Sequence, residues 1–294
     1  MKKVIFECFR KMIRAVSGKG LGLARVPGLQ QLSDWFSRRL SPKGIVLLDV
    51  HGSKMFFDTD LETPLRTLIT FGTYEPFETR IFQSLLRPGM VVADIGANIG
   101  YYSLISAKAV GDSGRVFAFE PDPRNYDLLL RSIQANGYTN VVPRKMALSD
   151  KKGSITLYAD SLNAGNSSLG QSNIQREGGS YEVETDTLDS FILAEGKGRK
   201  IDLIKMDVQG AEGMVLEGAR GLLTNGSLAL MMEFEPDKLQ ALSADPAELL
   251  RRLRGFGFRV RMLDSVQGKI IEGTDSMVLA TCASEGYVNL LLEK

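Results

Sequence analysis

The stretch from Val91 to Ala109, VVADIGANIGYYSLISAKA, most constrains the fold that this chain can adopt. It begins with an apolar run that contains β-branched residues, turns at a corner bracketed by two glycines, and continues in residues that favour a helix. In open α/β sheets, the first strand-to-helix turn is where a nucleotide commonly binds. The stretch therefore predicts a strand-turn-helix unit with a ligand at its corner.

Strand and helix patterns alternate through most of the chain after Glu75. The second strand, RVFAFE, is followed by a helix that we expect to begin at Pro123 with Asp122 as its N-cap. Alternation resumes with IDLIKMD and SLALMMEFEP after an insertion at about residues 149–196. Such alternation predicts an α/β fold with a doubly wound, Rossmann-like parallel sheet.

The two ends of the chain are expected to differ from this central pattern. Near the C-terminus, FRVRMLD and MVLATCA resemble a terminal antiparallel pair of strands. We expect residues 1–72 to form a mainly helical extension with a hairpin, and residues 73–294 to form the main domain. The hairpin, IVLLDVHGSKMFFD, contains the only histidine, His51, which we interpret as solvated.

The first 20 residues have apolar and basic residues at helical spacing. Glu7, Arg10, Lys11 and Arg14 interrupt the apolar run, so the segment is predicted to be neither an export signal nor a membrane span. Such a helix can pack on its own domain, or it can make peripheral contact with an anionic membrane. Both interpretations stay open.

Composition is that of an ordinary soluble globular protein. The formal charge of +1 lacks the basic field that nucleic-acid binding requires. The two cysteines, Cys8 and Cys282, are too few for a disulfide framework or a cysteine-rich metal site. We therefore predict a cytoplasmic protein without a nucleic-acid partner.

The corner DIGANIG has the wrong residues for a phosphate cradle. Gly96 and Gly100 are expected to permit a sharp turn and a close approach of the backbone to a ligand. Asn98 and Tyr101 stand where a dinucleotide fingerprint has its second and third glycines, and the Gly-Lys-Ser/Thr ending of a P-loop is absent. With the carboxylate of Asp94 opening the turn, the corner favours a cationic or zwitterionic ligand.

Glu120 ends the second strand, beside that corner. An acidic residue in this position can accept hydrogen bonds from both hydroxyls of a ribose. S-Adenosylmethionine fits both features, because it has a ribose, an amino-acid end and a positive charge but no phosphate. We expect Gly96 and Asn98 to hold the amino-acid end, Ala147 to contact the adenine, and Tyr74 to cover the site.

These residues resemble the FkbM-type methyltransferases, a branch of the class I enzymes that use S-adenosylmethionine. The resemblance covers about Thr73 to Pro236 and rests on five motifs in the family's order: DIGANIGYYS, FEP at Glu120, TLD at Thr187, IKMDVQGAE at Ile204 and EFEP at Glu233. It implies the class I fold, S-adenosylmethionine as methyl donor, and an oxygen acceptor on a sugar, glycolipid, polyketide or other natural product. Family members commonly have Glu where this chain has Gln209.

Lys205 and Asp207 end the strand IDLIKMD and share one of its faces, because strand periodicity is two. Charged groups at the end of an apolar strand are costly to bury unless they are paired or used. Methylation of a hydroxyl requires removal of its proton, so we predict both residues to be catalytic. A structural ion pair is the alternative.

Further polar residues are candidates for the acceptor or for a metal. The acceptor candidates are Asn166 and Ser167 in the inserted loop, with Gln209 and Glu235. Asp207, Glu212 and Glu235 could together hold a divalent cation, although nothing in the sequence requires one. Glu212 equally suits the first turn of a helix, where the dipole favours an acid.

The predicted function is O-methylation of a hydroxyl on a small-molecule or glycan acceptor. A non-catalytic module that binds a nucleoside is the main alternative. A nucleic-acid methyltransferase is disfavoured by the neutral charge, and by DVQG where an Asn/Asp-Pro-Pro-aromatic turn would be expected. The residues leave the acceptor's identity, its methylated position, metal dependence and the oligomeric state undetermined.

Overall fold

The computed structural model describes residues 43–60, 65, 67–161, 165–174 and 176–294. The predicted N-terminal helix lies outside these residues, so its packing and its membrane contact stay predictions. In chain order the described strands are β1 (Ile45–Val50), β2 (Ser53–Asp58), β3 (Val91–Ile95), β4 (Arg115–Phe119), β5 (Val141–Arg144), β6 (Ala147–Leu148), β7 (Gly153–Asp160), β8 (Glu177–Asp186), β9 (Leu203–Met206), β10 (Ala229–Phe234), β11 (Arg259–Asp264), β12 (Lys269–Glu272) and β13 (Val288–Glu293).

The main sheet has eight strands in the order β12-β11-β13-β10-β9-β3-β4-β5. Strands β10, β9, β3, β4 and β5 pair in parallel, while β13 runs antiparallel to both β10 and β11. The chain builds outward from β3 to β5 and then returns to the other side of β3 at β9. This reversal confirms the predicted doubly wound sheet and places its ligand-binding switch point between β3 and β9.

Helices cover both faces of the sheet. They are α1 (Thr67–Phe71), α2 (Pro76–Leu85), α3 (Tyr101–Val110), α4 (Pro123–Asn136), α5 (Leu188–Glu195), α6 (Glu212–Gly218), α7 (Arg220–Asn225), α8 (Pro236–Ala241), α9 (Pro246–Gly255) and α10 (Asp275–Glu285). Asp122 caps α4 as predicted, because its side chain accepts a hydrogen bond from the backbone N–H of Arg124 at 2.8 Å. No helix in the described part of the chain combines the length and the apolar character needed to span a membrane.

The predicted strand MVLATCA is wrong, because these residues belong to α10. Thr274 caps that helix by accepting a hydrogen bond from the N–H of Met277 at 3.3 Å. Val278 and Cys282, four residues apart, are buried, which is helical spacing rather than strand alternation. The terminal antiparallel strand is instead β13, whose VNLLLE run is buried on both faces up to its last residue.

The hairpin β1–β2 packs on the outer side of α4. The N–H of Phe56 donates to Ser132 Oγ at 2.9 Å, and the N–H of Lys54 donates to Asn136 Oδ1 at 2.7 Å. Phe57 lies in the same hydrophobic cluster as Val92 of β3. The hairpin therefore shares the core of the main sheet, while the boundary after residue 72 stays a prediction.

The insertion forms a small separate sheet in the order β6-β8-β7. Ala147, Leu157 and Val183 make its own hydrophobic cluster. The sheet follows β5, so it lies beside the carboxyl edge of the main sheet and brings the loop between β7 and β8 to that edge.

Candidate functional site

Two adjoining cavities lie at the carboxyl edge around the switch point. The β4 cavity lies between the ends of β3 and β4 and the insertion. The β10 cavity lies at the ends of β3, β9 and β10. Five residues contribute to the walls of both cavities: Gly96, Asn98, Gly165, Asp207 and Gln209. The two cavities therefore meet at the turn after β3 and the loop after β9.

The glycines of the turn after β3 allow close contacts within the protein. Gly96 has a φ of 79°, and a Cβ on it would lie 1.9 Å from the carbonyl oxygen of Asp207. Gly100 has a φ of 98°, and its Cβ would lie 2.7 Å from Leu129 Cδ1. The need for glycine was predicted, but the closest neighbours at these positions are the loop after β9 and helix α4.

Glu120 lies on the wall of the β4 cavity with only 5% of its surface exposed. Its Oε2 accepts from the N–H of Asn98 at 2.7 Å, and its Oε1 accepts from the N–H of Asp122 at 2.8 Å. Burial, and then the neighbouring carboxylate of Asp122, raise the pKa of Glu120 to about 8. The side chain of Asn125 also donates to this carboxyl. In its ionised form, which further donors from a ligand would favour, the carboxyl has lone pairs left to accept hydrogen bonds.

The rest of the β4 cavity is largely apolar. Met146, Ala147 and Leu148 line it on the side of the insertion, together with Leu157. Ser167, also on the wall, donates its hydroxyl to Asp122 Oδ2 at 3.0 Å. The inserted loop is thus hydrogen-bonded to the N-cap of α4, next to Glu120.

Asp94 and Lys205 lie side by side in the β10 cavity, since they are partners in the pairing of β3 with β9. Asp94 is 2% exposed and accepts from Ser103 Oγ at 2.5 Å, and its burial raises its pKa to about 6. Lys205 is 3% exposed, and its Nζ lies 5.1 Å from the ring centre of Tyr102. Among the described residues no carboxylate lies within 4.0 Å of this ammonium, so the ion pair with Asp207 is not formed.

Gln209 connects the polar groups at the mouth of the β10 cavity. Its Nε2 donates to Asp207 Oδ1 at 2.6 Å and lies 3.5 Å from Glu233 Oε2. Its Oε1 accepts from Lys238 Nζ at 2.5 Å. The backbone carbonyl of Gln209 accepts from Ser168 Oγ at 2.8 Å, which attaches the insertion to this loop.

Glu233 is a site residue that the sequence reasoning missed. It lines the β10 cavity, and burial followed by the nearby carboxylate of Asp207 raise its pKa well above the usual range of a glutamate. Strand periodicity could have found it, because Glu233 follows Met231 by two residues and Met231 pairs with Lys205. Side chains of Lys205 and Glu233 therefore share one face of the sheet.

Glu235 and Glu212 have other partners. Glu235 lines neither cavity, and its Oε2 lies 2.6 Å from Lys238 Nζ. Glu212 is buried, its Oε1 accepts from the N–H groups of Val208 and Gly210, and its burial raises its pKa to about 7. No group of three or more His, Cys, Asp or Glu side chains within the described ranges is arranged to hold a metal ion.

Tyr74 and Asn166 also line the β10 cavity. Tyr74 packs edge-on against Tyr101, with ring centres 5.8 Å apart, and burial raises its pKa above the usual range. The side-chain amide of Asn166 donates to Asp160 Oδ2 at 3.2 Å and to the carbonyl of Asn173 at 3.0 Å. Asn166 therefore holds the inserted loop together at the cavity.

His51 is half-buried rather than solvated. Its Nε2 lies 3.0 Å from the hydroxyl of Tyr101, and burial lowers its pKa. Tyr101 in turn contacts Thr79 and the carbonyl of Tyr74 through that hydroxyl. The hairpin thus supports the wall of the β10 cavity through a chain of hydrogen bonds.

Comparison with known proteins places this architecture in a family. The model of the methyltransferase FkbM domain matches residues 94–260. The 2-O-methyltransferase NoeI of Sinorhizobium fredii is 27% identical over 65% of this chain and 82% of its own length. Methyltransferase sdnD of Sordaria araneosa is 31% identical over 43% of this chain, and the match spans 59% of sdnD, less than two thirds of its length.

A crystal structure of the methyltransferase FkbM from Methylobacillus flagellatus aligns with 79% of this chain and 53% of that chain, at 13% identity and a TM-score of 0.43. The residues that the family model matches, by contrast, make up more than half of the sequence. They include the turn after β3, Glu120, the loop after β9 and the end of β10. On that match, this chain belongs to the FkbM methyltransferase family.

Proposed function

We propose that this chain transfers the methyl group of S-adenosylmethionine to a hydroxyl oxygen of a small-molecule or glycan acceptor. The observation that carries the proposal is the meeting of two unlike cavities at Asp207. The β4 cavity combines one buried carboxyl, Glu120, with an apolar wall. The β10 cavity gathers a lysine and carboxyl groups at the strand ends.

The residues of the β4 cavity fit S-adenosylmethionine. Glu120 can accept hydrogen bonds from the two ribose hydroxyls, and Met146, Ala147 and Leu148 offer an apolar surface to the adenine. The N–H groups of Gly96 and Ala97 donate to the carbonyl of Phe119. Since the N–H of Asn98 is bonded to Glu120, the turn offers few donors to a phosphate and suits a positively charged ligand instead.

The amino-acid end of the ligand would lie where the two cavities meet. Gly96 and Asn98 line both cavities, so their backbone groups would contact this end, and Asp94 would provide negative charge for its ammonium. Tyr74 would close the same side. S-Adenosylmethionine supplies an electrophilic methyl group on its sulfonium, and the protein must bring an acceptor oxygen in line with it.

Asp207 is the proposed acceptor of the proton of the acceptor hydroxyl. It lies on the wall of both cavities, so a group bound in the β10 cavity can contact it and the β4 ligand together. Burial, and then the nearby carboxylate of Asp207, raise the pKa of Glu233, so that this side chain favours its neutral form beside that carboxylate. The ammonium of Lys205 would stabilise negative charge that develops on the acceptor oxygen.

Three further polar residues at the two cavities have proposed roles. Gln209 would orient Asp207 through its 2.6 Å hydrogen bond. Asn166 would shape the acceptor side, whereas Ser167, on the wall of the β4 cavity, would hold the inserted loop against the methyl donor. The non-catalytic alternative needs only the β4 cavity, and a buried lysine beside buried carboxyl groups would have no purpose in it. A divalent metal and a nucleic acid are not part of the proposed mechanism.

A turnover assay tests the proposal. The purified chain is incubated with methyl-labelled S-adenosylmethionine and a panel of sugars, glycolipids and hydroxylated natural products, with and without EDTA. We expect labelled product and stoichiometric S-adenosylhomocysteine with at least one acceptor, and loss of both in Asp207→Asn. Tight binding of S-adenosylmethionine without turnover on any acceptor would favour the non-catalytic module.

A further inference from the structure

A third cavity lies next to the proposed methyl-transfer site. This β11 cavity is formed where β11 and β13 meet at the carboxyl edge, under the start of α2. The residues that carry its chemistry are Glu78, Asp264, Thr281, Glu285, Tyr287 and Asn289. None of the catalytic or cofactor-binding roles proposed above uses any of them.

The β11 cavity adjoins the β10 cavity across a single pair of residues. Glu233 of β10 pairs with Asn289 of β13 in the antiparallel ladder. Side chains of directly opposed residues lie on the same face, with Cβ atoms about 5 Å apart. An acceptor whose reacting hydroxyl lies at Asp207 can therefore extend past Glu233 to Asn289.

Asn289 presents an amide to this cavity that no described residue binds. Its residue is 6% exposed, it lines the β11 cavity, and its side-chain amide makes no hydrogen bond with any other described residue. The amide atoms are not among the fully buried unpaired ones, so they face the cavity space and are open to a ligand. A ligand in the β11 cavity that both donates and accepts hydrogen bonds would satisfy this amide.

Glu78 contributes a second buried polar group to the same wall. It is 4% exposed, and among the described residues its carboxyl has its own backbone N–H as the one hydrogen-bond donor, while the positive charges of Lys205 and Arg80 act on it from a distance. Asp264 uses Oδ1 to accept from the N–H of Gln267 at 2.8 Å, which leaves its other oxygen for a ligand.

The charge of the wall selects the kind of group that can bind. Glu78, Asp264 and Glu285 line the β11 cavity, and no Lys, Arg or His is among the described residues of its wall. A phosphate or carboxylate group would be repelled there. Hydroxyl groups, in contrast, donate to carboxylates and both donate to and accept from an amide.

Tyr287 adds an aromatic surface at the entrance, with 43% of its surface exposed. A large aromatic ring beside hydrogen-bonding groups can contact the C–H face of a pyranose while the polar groups bind its hydroxyls. We infer that the β11 cavity is a subsite for an uncharged sugar unit of the acceptor. This inference rests on the proposed function, because it assigns the part of the acceptor that lies away from the methylated hydroxyl.

Direct binding of simple sugars tests the subsite without any need for turnover. Saturation-transfer-difference NMR is recorded on the full chain with neutral methyl glycosides of hexoses and deoxyhexoses, and with glucuronate and glucosamine. We expect a signal from at least one neutral glycoside, and none from glucuronate. We also expect about tenfold weaker binding in Asn289→Leu and in Tyr287→Ala, the size of effect that loss of one buried contact produces.

The matched control is Glu272→Gln, an exposed carboxylate on β12 that pairs with Arg259 and is not on the cavity wall. It should bind the glycoside like the wild type. Because Tyr287 is partly exposed, Tyr287→Ala keeps the test valid if Asn289→Leu unfolds, and thermal unfolding checks both. No signal from any neutral glycoside, selective binding of glucosamine alone, or undiminished binding in a folded Tyr287→Ala would overturn the subsite.

Failure of the subsite and failure of the proposed function are distinguishable. Sugar binding without S-adenosylhomocysteine release on any acceptor would retain the subsite and reject the methyltransferase mechanism. Equal turnover on a glycoside and on its aglycone, with no saturation-transfer signal from any sugar, would retain the methyltransferase mechanism and reject the subsite.

Discussion

The β4 and β10 cavities share five wall residues, but the charged side chains on their walls differ in how fully they are hydrogen-bonded or paired. In the β4 cavity, both oxygens of Glu120 are held by backbone N–H groups, so the carboxyl has a fixed orientation toward a ligand. In the β10 cavity, no carboxylate of the described residues lies within 4.0 Å of the Lys205 ammonium, and burial together with the nearby carboxylate of Asp207 raises the pKa of Glu233. Fixed groups suit recognition, whereas incompletely compensated charges suit proton transfer.

The largest effect should follow from Asp207→Asn, because it removes the proposed proton acceptor while keeping the shape of the side chain. We expect kcat to fall by about 100-fold or more, the range usual for loss of a general base. Initial rates with saturating substrates measure it, and S-adenosylhomocysteine affinity shows whether the β4 cavity is intact. A fall of less than about threefold would remove Asp207 from the mechanism.

Glu233→Gln and Glu235→Gln form a matched pair on neighbouring positions. Glu233 lies in the β10 cavity beside Asp207, whereas Glu235 pairs with Lys238 outside it. We expect about a tenfold loss in kcat/KM and an altered pH profile for Glu233→Gln, because the carboxyl that shares charge with Asp207 is gone. Glu235→Gln should stay close to wild type, and equal effects of the two variants would contradict the difference between the positions.

Stability should depend on pH through the buried carboxyl groups. The pKa values of Asp94, Glu212 and Glu120 are raised to about 6, 7 and 8, above those of the unfolded chain. The folded state therefore binds more protons than the unfolded state, and its stability falls as pH rises from about 4.5 to about 8. Thermal unfolding of the ligand-free protein should show a lower midpoint at pH 8.5 than at pH 6.

Glu120→Gln sharpens that prediction. The variant should have a shallower decline overall and should lose the decline between about pH 7 and pH 8, where Glu120 is the only one of the three that still titrates. Glu217→Gln, at an exposed ion pair with Arg252, serves as control and should keep the wild-type profile. A midpoint independent of pH in the wild type would mean that these carboxyl groups are better solvated than the geometry indicates.

The smallest effect is expected for Ser167→Ala. This change removes the hydrogen bond from the inserted loop to Asp122, worth about 1 kcal/mol. The KM for S-adenosylmethionine should rise about fivefold, with kcat nearly unchanged, because the loop closes the β4 cavity but does not take part in proton transfer. Steady-state kinetics measure both constants, and a larger loss in kcat than in affinity would assign the loop to the chemical step.

Local patterns in the sequence were enough to predict which residues line the two cavities. Asp94, Glu120, Lys205 and Asp207 each end a predicted strand, and parallel strands bring their carboxyl ends to one edge. The contact of Gly96 with the carbonyl of Asp207 could not be predicted, because it joins residues far apart in the chain. The hydrogen bonds of Gln209 and the unpaired amide of Asn289 could not be predicted either, because they depend on cross-strand register and on loop shape.

The error at α10 has a different origin. MVLATCA contains β-branched and apolar residues that fit either a strand or a buried helix face, and periodicity alone does not separate the two in a short run. Thr274 as an N-cap was the missed signal. With that cap recognised, VNLLLE is the better candidate for the terminal strand.

Binding of the methyl donor is the most direct test of the central claim. Isothermal titration of S-adenosylmethionine and S-adenosylhomocysteine into the purified chain should give micromolar affinity, about −8 kcal/mol. Glu120→Ala and Asp94→Ala should each abolish the heat of binding, while Glu235→Ala should bind like the wild type. Absence of binding by a well-folded wild-type protein would contradict the assignment of the β4 cavity and, with it, the proposed methyl transfer.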